Sequence, residues 1–130
     1  MKTILVVDDE PDIIELVQRR LEANNFKVIS AVDGEEGIKM AQQQKPDLII
    51  MDIMMPNIPG DYAVRLLMND VTTKHIPVIF LTGLTSNNPQ GGEAKGINVD
   101  GKYFTTMAKP FKPEKLLFEI NRLLGNKRIT

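Results

Sequence analysis

The sequence predicts a doubly wound α/β fold, a five-stranded parallel sheet with helices on both faces. Three observations predict it. Residues 4–7, 48–51 and 78–81 are short runs of consecutive apolar residues, the pattern of strands covered on both faces. Segments with apolar residues at helical spacing lie between the strand-like runs, so strand and helix alternate five times, as a parallel sheet with right-handed crossovers requires. The first and second of these runs end in carboxylates, Asp8-Asp9-Glu10 and Asp52, at the strand ends where open α/β sheets keep their chemistry.

Residues 4–7 are the first strand. An Asp able to cap a helix, followed by Pro11, then starts the first helix. Ile14, Val17 and Leu21 mark its inner face, with Arg19, Arg20 and Glu22 among the polar positions. Asn24-Asn25 ends it, and residues 26–31 read as a partly alternating second strand. Asp33 caps a second helix over 35–44, with Ile38 and Ala41 inward. Lys45-Pro46 closes that helix and leads into the strand that ends at Asp52. Pro56 and the turn-rich NIPG, closed by Gly60, precede a third helix over 61–69, with Ala63, Leu66 and Leu67 facing in. Pro77 opens the fourth strand, 78–81, which ends in Thr82-Gly83. Residues 86–101 are rich in turn formers and helix breakers, and only a short helix around Glu93 is expected there. Residues 102–108 form a weaker fifth strand, followed by Lys109-Pro110. Pro113 starts the last helix, with an apolar stripe of Leu116, Leu117, Ile120, Leu123 and Leu124.

The chain of 130 residues fits one domain over 1–125 with a short, polar, fraying tail over 126–130. Its formal net charge of -1 gives no basic footprint, so nucleic acid is not an expected partner. There are no cysteines, which excludes disulfide staples and thiolate chemistry and fits a reducing compartment. No leader pattern precedes the first strand, and no apolar run approaches the roughly 20 residues that span a bilayer. The expected setting is cytoplasmic, without membrane attachment.

In a parallel sheet of this kind Asp8, Asp9, Asp52, Thr82 and Lys109 share one edge. Each alone has an ordinary explanation. Asp9 could cap a helix, Asp52 and Thr82 could serve turns, and Lys109 could be a solvated cation. Together they make a site. Carboxylates crowded from separate segments repel unless a cation sits among them, and hard oxygen ligands suit Mg²⁺. Lys109 adds a mobile positive charge and Thr82 a hydroxyl donor, which suits a phosphoryl group held on a carboxylate. His75 reads as a surface residue, and the seven methionines read as core filling.

In this combination the sequence resembles a response-regulator receiver domain of two-component signalling, of the single-domain, chemotaxis-regulator-like kind. The residues that carry the resemblance are Asp8-Asp9 after the first strand, Asp52 with Met55-Pro56 and Gly60, Thr82 after the fourth, and Lys109-Pro110-Phe111. The resemblance implies a (βα)5 flavodoxin-like sheet of strand order 2-1-3-4-5. It implies that Asp52 is the phosphoacceptor, taking its phosphoryl group from a phosphohistidine on a sensor histidine kinase or phosphotransfer protein. It implies that Asp9, Asp52 and the Met54 carbonyl bind Mg²⁺ directly and Asp8 through water. By the same resemblance Lys109 pairs with the phosphoryl group, Thr82 moves toward it, and the Lys109–Pro110 peptide is cis. The output is a protein target, met by the face of the fourth helix, fifth strand and last helix, with Lys102, Lys115, Glu119 and Arg122.

The chain departs from that family in two places. Thr106 stands three residues before the lysine, where members usually carry an aromatic, and Tyr103 and Phe104 come earlier. The interval from Thr82 to Lys109 is longer than is common, and its Gly/Asn-rich excess is expected to be a lid or a partner-specific surface. Met54 and Leu84 flank the expected phosphoryl position and cannot orient a water, which predicts slow self-dephosphorylation and no steady enzymatic turnover. Two other readings are an aspartyl-phosphate-forming Mg²⁺ hydrolase and a phosphorylation-independent scaffold. Haloacid-dehalogenase-like phosphatases open a DxD motif after their first strand, where this chain has DDE. A scaffold usually lacks one of the site residues, and none is missing here.

Overall fold

A computed structural model describes residues 1–83 and 96–125. In order, the elements are β1 (Thr3–Val7), α1 (Pro11–Glu22), β2 (Lys27–Ala31), α2 (Gly34–Gln44), β3 (Leu48–Asp52), α3 (Gly60–Met68), β4 (Val78–Thr82), β5 (Ile97–Val99), β6 (Lys102–Ala108) and α4 (Pro113–Leu124). The sheet order is β2-β1-β3-β4-β6-β5. Five strands, with β6 as the fifth, run parallel in the expected 2-1-3-4-5 order. A short sixth strand, β5, is added antiparallel at the edge.

Alternation along the strands sorts the core into two layers. Leu5, Val7, Ile49, Met51 and Phe80 pack with Ala41, Ala63, Val64 and Leu67 from α2 and α3. Ile4, Val6, Leu48, Ile50, Ile79 and Leu81 pack on the other side with Val17 and Leu21 of α1 and Leu116 and Ile120 of α4. β3 and β4 are buried at every position, which is why they carry unbroken apolar runs. Each buried aliphatic side chain contributes about 1.5–3 kcal/mol, so this sheet is a stiff base for its rim.

Three local expectations change. α1 takes no Asp side-chain cap. Glu10 is at its N-cap without a capping bond, and Asp8 Oδ1 instead accepts the Glu10 N–H at 2.9 Å. Asp33 does cap α2, accepting the Glu36 N–H at 2.8 Å, while Glu36 accepts the Val32 N–H at 2.9 Å. In α3, Leu66 is 39% exposed and Val64 takes the buried place, because the helix turns its Ala63-Val64-Leu67 face to the sheet. The third change is the hairpin joining β5 and β6. Its turn residues Asp100 and Gly101 both have positive φ, 51° and 90°, which suits a two-residue turn between twisted antiparallel strands. Val99 is buried in the α2–α3 layer, and Arg65 Nε meets Asp100 Oδ2 at 3.2 Å, tying the turn to α3. The expected helix around Glu93, Leu84 and the tail over 126–130 lie outside the described residues. No described helix is long and apolar enough to cross a membrane.

Candidate functional site

Parallel register brings the strand ends together. Val7 lies beside Met51, Asp52 beside Leu81, and Thr82 beside Ala108. The ladder then continues past the strands. Asp8 N–H donates to the Ala31 carbonyl at 3.1 Å, Ile53 N–H to Leu81 at 3.0 Å, and Lys109 N–H to Thr82 at 2.8 Å. Each rim residue is therefore held by backbone as well as by its side chain. Gly60 sits against the same rim. Its N–H donates to the Ile53 carbonyl at 3.0 Å, and a Cβ there would collide with the Asp52 carbonyl oxygen. The Lys109–Pro110 peptide is cis.

The Lys109 ammonium is the centre of the charge cluster. Its Nζ lies 2.9 Å from Asp8 Oδ2, 2.9 Å from Glu10 Oε1 and 3.3 Å from Asp52 Oδ2. Burial alone would lower the Lys109 pKa. Contacts with Glu10 and Asp8 and the charges of Asp8 and Asp52 outweigh that and raise it, so the ammonium stays protonated. Asp52 is 2% exposed. Burial first, then the negative charge of Asp8, raise its pKa from 3.8 to about 6. Lys109 and the Met54 N–H, which donates to Asp52 Oδ1 at 3.2 Å, only partly offset this. Asp52 is thus mainly ionised at neutral pH and becomes protonated as pH falls below about 6.

Asp8, Asp9, Glu10 and Asp52 each offer a carboxylate oxygen, all within 4.8 Å of one another. Asp8 and Asp52 are buried, whereas Asp9 and Glu10 face out. Asp8 Oδ2 is buried and touched by the Lys109 charge, yet no described donor reaches it with hydrogen-bond geometry. A buried carboxylate oxygen with spare lone pairs, beside an exposed carboxylate, fits a hard divalent cation that keeps some of its waters. Mg²⁺ matches that oxygen-only donor set.

The expected residues Asp8, Asp9, Asp52 and Lys109 converge, and Thr82 stands buried at the β4 end of the same rim. Met54 is in the loop after β3, its side chain 57% exposed. Glu10 joins them, a residue that the acidic run alone does not single out. Its bond to Lys109 joins residues 99 positions apart, which spacing along the chain cannot reveal. On β6, Thr106 is buried, and among the described residues its hydroxyl makes a long 3.4 Å contact with the Phe104 carbonyl. Neither nearby aromatic replaces it. Tyr103 is 74% exposed, and Phe104 packs edge-on against Phe80, ring centroids 5.6 Å apart.

Comparison with known proteins agrees with this geometry. Residues 4–121 match the family described as response regulator receiver domain. PilH of Pseudomonas aeruginosa is 36% identical over 125 residues, which cover 96% of this chain and 99% of PilH. The alkaline phosphatase synthesis transcriptional regulatory protein PhoP of Bacillus subtilis is 34% identical, over 98% of this chain and 50% of PhoP. The chain therefore spans about half the length of some relatives and nearly all of others. Among solved structures, the chemotaxis protein CheY4 of Vibrio cholerae superposes with a TM-score of 0.78 at 33% identity, covering 95% of this chain and 98% of CheY4. The receiver domain of sensor histidine kinase PA1611 from Pseudomonas aeruginosa, described with a magnesium ion coordinated in its active site cleft, gives 0.81 at 25% identity, covering 96% and 98%.

Proposed function

The chain belongs to the response regulator receiver domain family, and from that membership we propose that Asp52 is the residue that takes up the phosphoryl group. Receiver domains are phosphorylation-activated signalling switches that bind Mg²⁺ and work between histidine kinases or phosphotransfer proteins and downstream targets. The observation that carries the assignment is the meeting of Asp8, Asp52 and Lys109 from three separate strand ends within 2.9–3.3 Å.

An Asp52 carboxylate oxygen attacks phosphorus. The new P–O bond forms as the P–N bond of the donor phosphohistidine breaks, and that electron pair leaves with the imidazole nitrogen. Asp9, Asp52 and the Met54 carbonyl would hold Mg²⁺, with Asp8 acting through water; bound there, the ion neutralises charge on the phosphoryl oxygens. Lys109, already 3.3 Å from Asp52 Oδ2, pairs with a phosphoryl oxygen, and the Thr82 hydroxyl donates to another. A phosphoryl group adds about -1.5 to -2 charges at neutral pH, enough to reset a nearby two-state loop. The side chain of Met54 cannot align a water for attack, so the phosphoaspartate decays slowly without a partner phosphatase. The readout face runs over β6 and α4, with Lys102, Lys115, Glu119 and Arg122. There Arg122 donates to Thr105 Oγ1 at 3.0 Å and links helix to strand. On this reading the chain works in the cytoplasm, beside the donor's phosphohistidine.

Labelling by a small phosphodonor with Mg²⁺, intact chain against Asp52→Asn, tests the assignment. One phosphoryl group per intact chain and none on the variant is the expected result. Equal labelling of the variant would remove Asp52 from the role, and steady release of phosphate would make the chain a hydrolase. Rapid loss of label in Mg²⁺ would refute the slow decay.

A further inference from the structure

If Asp52 accepts the phosphoryl group, the Lys109 ammonium must turn toward it. An ammonium has three N–H donors, and three carboxylates surround this one. They differ in what they can give up. Asp8 and Asp52 are buried at strand ends and cannot withdraw. Glu10 is more than half exposed, sits on extended backbone just before α1, and makes no capping bond to that helix. Its 2.9 Å contact is the one of the three with hydrogen-bond geometry. The Glu10 N–H is fixed to Asp8 Oδ1, so the side chain can swing while the backbone stays.

We propose that Glu10 is a positioning residue for phosphoryl transfer: its carboxylate holds the Lys109 ammonium toward the outer edge of the site, and a phosphoryl oxygen must displace it. The exchange is balanced, since one anionic oxygen replaces another on the ammonium and no proton moves. Glu10 therefore restrains the unmodified state. It competes for the cation that the phosphoryl group needs, and it opposes acquisition of a phosphoryl group through a contact the product does not keep. This rests on the phosphoacceptor reading of Asp52.

The test is the labelling rate with acetyl phosphate and Mg²⁺, followed by intact mass, in a double-mutant cycle of Glu10→Gln and Lys109→Ala. Glu10→Gln is expected to label about fivefold faster, the size of losing one partly exposed ion pair. In the Lys109→Ala background the same change is expected to alter the rate by less than about twofold. A gain of equal size in both backgrounds would mean that Glu10 acts by charge repulsion alone and overturns the proposal, as would no gain in either. A loss in both would make Glu10 a metal ligand and also overturn it. Glu10→Asp covers the case in which Lys109→Ala does not fold. It keeps the charge but is one methylene shorter, so holding by contact predicts faster labelling and charge alone predicts none. An intact chain that takes no label on Asp52 removes the phosphoacceptor reading and this proposal with it; a labelled chain indifferent to Glu10 removes only the proposal.

Discussion

Asp52→Asn should make the protein more stable at neutral pH in the absence of Mg²⁺. The Asp52 carboxyl is 2% exposed and faces Asp8, and its pKa is raised from 3.8 to about 6. Between those values the folded chain binds more protons at this site than the unfolded chain. Stability therefore falls as pH rises from about 4 to about 6, and levels off above that. At about 1.4 kcal/mol per pH unit, the interval corresponds to about 3 kcal/mol of ionisation cost carried at pH 7. Asparagine has the same shape and no charge, so it should recover about 1–3 kcal/mol of that cost. Urea unfolding followed by circular dichroism, with chelator present, at pH 4.5, 5.5 and 7 is the assay. The intact chain should lose stability across that series, and Asp52→Asn should show a flatter profile and a higher midpoint at pH 7. A variant less stable than the parent at pH 7, or one with the same slope, would refute the reasoning. Mg²⁺ should then reverse the order, because only the intact site gains the linkage stabilisation, about 2.7 kcal/mol at a hundred times the dissociation constant.

Asp9→Asn, an exposed change, should leave metal-free stability within about 0.5 kcal/mol but weaken Mg²⁺ binding by about tenfold or more, read by calorimetric titration. Gly60→Ala should cost about 1–3 kcal/mol and slow labelling of Asp52, because the added methyl forces the Asp52–Ile53 backbone aside; unfolding and labelling rates measured together check both. Gly101→Val should destabilise by about 1 kcal/mol or more, since φ of 90° strains a β-branched residue, while Mg²⁺ affinity stays unchanged.

The strands were legible because burial on both faces leaves an unbroken apolar run, as at Leu48 to Met51 and Val78 to Leu81. The acidic residues of the rim were legible because Asp8 and Asp52 stand directly after such runs, and Lys109 because it ends the weaker fifth strand, where parallel pairing must collect them. Leu66 was misplaced because a nine-residue helix has two apolar faces close in phase, and packing against the sheet selects between them. The β5 hairpin went unseen although Asp100-Gly101 carries its signal. The flanking strand has only three residues and follows a glycine-rich stretch that masks it. Glu10 escaped assignment for another reason. A side chain's reach to Lys109 depends on its rotamer and on the far end of the sheet, neither of which is a local property.

The hairpin also alters how the molecule meets its neighbours in solution. The outermost strand of a parallel sheet offers a row of unmatched amides and carbonyls, a template on which other chains can stack. Here Ile97, Asn98 and Val99 cover that row from Lys102 to Phe104. Over those three residues the border of β6 is closed, and β5 itself is too brief to seed fibrous association.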